Sequence, residues 1–269
     1  MMTRKQKPFN RRLCLALLLT FACGRVAAEP SWLATTAYNE YVAQVEGRLA
    51  RQHESAGGFL APANDLQSAA RLRRGELIVE KVEPSRAPDL PGAMLHHWRG
   101  VAFVSSARAA DFERLMRDYQ DYPRTYAPDV QSATVLARDG DHYRIKMRMR
   151  QKHVITVVLD TAYDVTFGRL DASHGFSLSR STSVAEIGEA GTSAGRALGP
   201  NEEHGFLWRL NTYWSYEERD GGLYIEIEAV SLTRSIPYGL AWAVGPFVES
   251  VPRESLEFTL RATRNALKK

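Results

Sequence analysis

The run FLWRLNTYWSYEERDGGLYIEIEAVSLT, residues 206–233, constrains this chain more than any other stretch. Asp220-Gly221 is a two-residue turn signal of the kind that closes a β-hairpin. With the turn there, opposed residue numbers sum to 441. Trp214 then faces Ile227, Tyr216 faces Ile225 and Leu210 faces Ser231, all on one side. The opposite side pairs Ser215 with Glu226 and Tyr213 with Glu228. Both strands are apolar on one side and polar on the other at once, and a one-residue slip would scramble that agreement. A sheet with an apolar face needs something to cover it.

The same alternation recurs in HYRIKMRMR. Tyr143, Ile145, Met147 and Met149 point one way, and Arg144, Lys146, Arg148 and Arg150 the other, which describes a half-buried antiparallel strand with a cationic outer face. MLHHWRGVAFVS, VQSATVLAR, VITVVLDTAYDV and HGFSLSRSTSVAEI read as further strands, and ELIVEKV (76–82) as an earlier one. Helical spacing appears over Ser31–His53, with Tyr38, Val42, Val45 and Leu49 in one stripe. It appears again from about Asp65 to Arg74, with Asn64 as the expected N-cap, and over Ala109–Tyr119. The chain closes with IPYGLAWAVGPFVES, helical with an expected break at Gly245-Pro246. A helix over Pro252–Leu267 follows, with Leu256, Leu260, Thr263 and Leu267 on one face. This terminal helix is the expected cover. The fold class is α+β: a strand, helices, about six antiparallel strands and a long C-terminal helix.

The first 28 residues differ from the rest. Arg4, Lys5, Lys7, Arg11 and Arg12 precede the apolar run Leu13–Ala22, and Val26-Ala27-Ala28 offers a small-residue cleavage site, the layout of a secretory signal peptide. The stretch around Cys23 departs from a lipid-attachment motif at Thr20 and Phe21. Residues 1–28 hold six of the 35 Lys and Arg and none of the 31 Asp and Glu, so the remainder carries 29 against 31, a net charge of −2. The basic balance of the whole chain is therefore a leader effect and gives no support to nucleic-acid binding. Cys14 and Cys23 both lie in the leader, so the expected mature, periplasmic or secreted chain has no thiol. Pro84, Pro88 and Pro91 mark a loop that divides an N-terminal helical extension (29–92) from a main domain (93–269).

GTSAG (191–195) fits the G-x-S-x-G pattern of a serine-hydrolase elbow, which needs a strand before Ser193 and a helix directly after it. Only Arg196-Ala197-Leu198 stand between the motif and Gly199-Pro200, so Ser193 reads as a loop residue. His96 and His97 are adjacent on a strand and point to opposite faces, so they do not share an ion, and no histidine spacing marks a metal site. Arg144, Lys146, Arg148, Arg150 and Lys152 form a stripe that suits a solvated face or anionic headgroups. Arg180 shares one face with Phe176, Leu178, Thr182 and Val184. A cation in an apolar row needs a carboxylate such as Glu186 or Glu254, an anionic ligand group, or a path to water.

The stretches LHHWRGVAFV, FLWRLNTYWSYEERDGGLYIEIEAVSLTRSIP and GPFVESVPRESLEFTL, with the element order over residues 93–268, resemble the START-like, helix-grip (SRPBCC) superfamily of lipid-transfer proteins and polyketide cyclases. They look especially like exported bacterial members. The resemblance implies a curved sheet wrapped around the C-terminal helix, enclosing an apolar cavity for a lipid or other hydrophobic small molecule, with no cofactor or metal. The cavity candidates are Tyr143, Ile145, Met147, Met149, Leu210, Trp214, Tyr216, Ile225, Ile227, Trp242 and Phe247, with Arg180 for a polar end. The same residues suit an ordinary core, because sequence does not separate a filled interior from a hollow one. Two other classes stay open: a cyclase or dehydratase with an acid or base in the cavity, and a partner-binding envelope protein docking through its helical N-terminal segment.

Overall fold

A computed structural model describes residues 29–60, 65–84, 88–152, 155–199, 201–236 and 241–268, with the backbone alone for 241–249. The leader at 1–28, Asn64 and His153 lie outside the described residues. Helix α1 (Trp32–Gln52) and the short α2 (Leu66–Arg73) come first. β1 (Ile78–Lys81) and β2 (Ala93–Ser105) follow, then α3 (Ala109–Arg117) and α4 (Tyr122–Thr125). Next come β3 (Val130–Asp139), β4 (His142–Lys152), β5 (Thr156–Arg169) and β6 (His174–Gly188). A two-residue β7 (Arg196–Ala197), β8 (Arg209–Arg219), β9 (Gly222–Arg234) and α5 (Ala241–Leu267) complete the chain.

The strands form one antiparallel sheet in the order β1-β2-β9-β8-β6-β5-β4-β3, with β7 attached to β6. The β8–β9 register pairs Trp214 with Ile227 and Ser215 with Glu226, as the alternation requires. Asp220 and Gly221 take φ values of 57° and 74°, the left-handed pair that a tight hairpin turn needs.

The inner face is gripped by α5. Leu256 and Leu260 enter one apolar cluster with Tyr143, Ile145, Val165, Trp214, Ile225 and Ile227. Gly100 on β2 permits this approach, because a Cβ there would sit 2.5 Å from Leu256 Cδ2 and 3.1 Å from Leu260 Cδ2. The expected break at Gly245-Pro246 is absent, and α5 runs unbroken for 27 residues, about 40 Å. Proline has a helical φ, so Pro246 and Pro252 each remove one backbone hydrogen bond without forcing the helix to stop.

The outer face is also covered, which the alternation alone did not foretell. Ser31 caps α1 by accepting from the Ala34 N–H at 3.1 Å. Tyr38, Tyr41, Val42, Val45 and Leu49 then bury against Trp208, Tyr213, Val230 and Leu232. Phe59, Leu60 and Leu72 extend the cover over Val101, Phe103 and Tyr224. A lone helix of this length and composition is marginal in water, so this packing is what holds α1 in place.

The polar stripe of the hairpin is therefore buried rather than wetted. Glu228 is 0% exposed and accepts from Arg48 Nη2 at 2.5 Å, with His97 Nε2 at 2.9 Å. Tyr41 lies 2.7 Å from His97 Nδ1, and His53 Nε2 lies 2.8 Å from Ser215 Oγ while its ring stacks on Phe176. Burial alone would raise the Glu228 carboxyl, but the His97 hydrogen bond and the Arg48 charge outweigh it and hold it below the usual range. Burial lowers His53 to about 4, with Arg48 adding to the effect. Glu226 is 1% exposed, and neither of its oxygens has a hydrogen-bond partner among the described residues. Burial first, and the Glu228 charge second, raise it from 4.5 to about 8 against the pull of Arg99.

Between pH 4.5 and 8 the folded chain thus keeps a Glu226 proton that the unfolded chain has lost. This group's contribution to stability falls as pH rises through that window and is flat above it. Glu226→Gln removes the fall. Denaturation curves at pH 5 and pH 9 should show the variant gaining on the parent at the higher pH, by on the order of a few kcal/mol. An equal difference at both values would mean that Glu226 is ionised throughout.

Candidate ligand-binding site

The structure gathers most of the cavity candidates. Tyr143, Ile145, Trp214, Tyr216, Ile225 and Ile227 are all buried in the inner cluster, and Met147 packs against it half-buried. Met149 lies on the same side of β4, and Leu210 on the same side of β8 as Trp214, both half-buried. Trp242 and Phe247 are on α5, but their side chains are outside the described residues.

Arg180 does not join them. The register sets it beside Asn211 on the outer face, and its apolar row faces α1 instead of α5. Arg180 Nε donates to Glu46 Oε1 at 2.6 Å and Nη2 to Oε2 at 2.8 Å. Its partner is thus Glu46, not Glu186 or Glu254. Glu186 instead receives the backbone N–H groups of His204 and Phe206.

The inner face has two unlike ends. Toward α3 it is filled with rings: Phe112 lies 5.0 Å from Tyr216 and 5.4 Å from Trp214, and Tyr143 lies 5.6 Å from Phe167. Tyr119, Tyr122 and Tyr126 close the gap to α5, where the Tyr126 hydroxyl meets Thr263 Oγ1 at 3.0 Å. A surface groove of about 500 Å³ between Thr125 and Phe258 lies at this filled end and does not enter the sheet's inner face.

Toward the start of α5 the lining changes. Trp98, Ala229, Thr212, Ser179, Leu210, Met147 and Met149 line the sheet there, and each is only half-buried. Apart from Trp98 and Leu210 the side chains are short or, in the methionines, adaptable. Two buried polar atoms make no close hydrogen bond among the described residues, Trp98 Nε1 and the Tyr163 hydroxyl, the latter having only the Thr161 side chain near it. Thr161, near Tyr163, donates to the Met147 carbonyl at 3.2 Å. Burial pushes the Tyr163 hydroxyl up to about 12, so it keeps its proton at ordinary pH.

Other motifs find plain positions. Ser193 is exposed in a turn where Thr192 Oγ1 donates to the Glu189 carbonyl at 2.8 Å, with no helix behind it. The next element is the two-residue β7. His96 and His97 face opposite ways, His96 toward Thr233 and His97 toward Glu228. No group of three or more metal-ligating side chains occurs among the described residues. No described helix is long and apolar enough to cross a membrane. In the cationic stripe Arg144, Lys146 and Arg148 are exposed, and the last two pair with Asp160. Sequence reasoning missed the buried outer cluster of Arg48, His53, His97, Glu226 and Glu228. The available signal was the apolar stripe of residues 38–49, which had been given no surface to cover.

Because the Arg180–Glu46 pair is partly exposed, Arg180→Met should cost under about 1 kcal/mol in denaturant unfolding. It should also leave binding on the inner face unchanged. A large loss of affinity for an acidic ligand would show that the arginine reaches the interior.

No family model matches the chain, and no curated protein matches it. Solved structures similar to it include a STAR-related lipid transfer protein from Xanthomonas axonopodis, at 19% identity over 68% of this chain and 97% of that one, TM-score 0.43. Human STARD10 is similar at 11% identity over 76% and 80%, TM-score 0.42. An aromatase/cyclase from a Streptomyces species is similar at 12% identity over 64% and 93%, TM-score 0.39. The chain's own topology, an antiparallel sheet closed on a long C-terminal helix, is an α+β helix-grip fold.

Proposed function

We propose that this chain is an exported protein that holds a lipid or other hydrophobic small molecule between its sheet and the first turns of α5. One observation carries the reading: a half-buried stretch of short side chains and methionines lies next to an interior that is otherwise filled with rings. Short side chains on a concave face leave volume, and apolar burial at about 25 cal/mol per Å² supplies the affinity.

The acid–base chemistry of a cyclase has less support. Glu226, Glu228, His53 and His97 are buried on the other face, beneath α1. His96 is the one histidine on the inner face among the described residues, and it is tied to Thr233 at 3.1 Å. Nor is α1 free for a partner, since its apolar stripe is spent on the sheet.

The neutral fluorophore N-phenyl-1-naphthylamine should bind the purified protein saturably. Ala229 lies between Trp98 and Thr212 across the strands, so Ala229→Phe should fill the space. The affinity should drop by at least about tenfold while the variant still melts cooperatively. No uptake by the parent, or unchanged uptake by the variant, would defeat the reading. Protein purified from its host should carry a lipid mass in native mass spectrometry. Export makes a separate forecast, that N-terminal sequencing of the mature protein begins at Glu29; an intact leader would refute it.

A further inference from the structure

The end of the inner face near the start of α5 carries no Lys, Arg or Asp among its described residues, and its one carboxylate, Glu186, set by the register beside Leu159 and Met149, is spent on the backbone N–H groups of His204 and Phe206. From β2 it receives Met94, His96 and Trp98, and from β4 Met147 and Met149. Tyr163, Ser179, Thr212 and Ala229 supply the middle. The cation that the apolar row brought under suspicion has gone to the other side. Arg180 is clamped to Glu46, and Arg48 and Arg99 attend Glu228. An ionised headgroup drawn into this space would meet no counter-charge from the sheet, and burying an unpaired ion is very costly.

The same surface offers two buried hydrogen-bond donors that make no close hydrogen bond among the described residues. The Trp98 indole N–H is donor-only, and its nitrogen is buried without a partner. The Tyr163 side chain is 2% exposed, and its hydroxyl makes no close hydrogen bond, with only the Thr161 side chain near it. Buried donors in a folded chain are nearly always matched, so two on one face mark places where an acceptor belongs. β2 and β5 are separated by β9, β8 and β6, so one molecule meeting both donors spans the width of the interior.

We infer that the ligand is an uncharged hydrophobic molecule bearing hydrogen-bond acceptors, such as an ester or a ketone, received by Trp98 Nε1 and the Tyr163 hydroxyl. The inference rests on the binding reading above and narrows it to a chemical class. Neutral acyl esters and polyketone chains belong to that class. Free fatty acids and ligands with a buried phosphate do not.

Displacement of bound N-phenyl-1-naphthylamine at pH 8 tests it with three probes of equal chain length: methyl laurate, laurate and dodecane. Methyl laurate should compete best, with laurate weaker by about a hundredfold because its carboxylate must be desolvated. Tyr163→Phe and Trp98→Phe should each weaken methyl laurate by about fivefold and leave dodecane within about twofold. Circular-dichroism melts of both variants establish that they fold. The inference is overturned if laurate competes as well as its ester, or if the two variants weaken dodecane as much as methyl laurate. Failure of the fluorophore to bind the parent at all would instead overturn the site itself, and the ligand class with it.

Discussion

Trp214 against Ile227, with Ser215 against Glu226 one residue along, commits the central sheet to two faces of opposite chemistry. Everything else is arranged around covering both. α5 takes the apolar face, aided by the missing side chain at Gly100. α1 takes the other, although that face contains two glutamates and His97. A polar face can be buried only if its groups are paired. Arg48, Tyr41 and Arg99 serve Glu228 and its partner His97, whereas Glu226 is left to hold a proton. The N-terminal segment thus completes the sheet electrostatically as well as sterically.

This division separates the molecule's charge from its candidate binding surface. Carboxylates, guanidinium groups and the His53–Ser215 pair sit between α1 and the sheet. The inner face toward the start of α5 keeps hydroxyls, indole and imidazole groups and apolar side chains, with its one described carboxylate, Glu186, tied to backbone N–H groups. The titrating groups buried on the outer face act on the attachment of α1. A substitution in one layer need not disturb the other, since a full sheet thickness intervenes.

The hairpin was legible because two independent signals agree there, a turn that allows only one pairing and an alternation that only one pairing preserves. Arg180 shows where such reading ends. Its company with Phe176 and Leu178 was correct, but alternation cannot say which of two covers a row will meet. The stripe from Tyr38 to Leu49 had the same ambiguity in reverse, a helix face without an address. α5 passing through Gly245-Pro246 was hidden for another reason: a proline's φ suits a helix, and only tertiary cover decides whether the helix continues. Of the candidate lining, six residues come together in the structure, and they belong to the filled cluster. The open stretch is marked by Ala229, Thr212 and Ser179, small residues that a search for large apolar side chains passes over.

The protonated Glu226 also gives the folding reaction a thermal signature. Near pH 7.5, where His53 is largely neutral in both states, the unfolded Glu226 carboxyl is ionised and the folded one mostly is not, so each chain that folds draws most of one proton from the medium through this group. The heat measured on unfolding then includes the ionisation enthalpy of whatever buffer accepts that proton. Two buffers of equal pH but different ionisation heat will return different calorimetric enthalpies for the same cooperative transition.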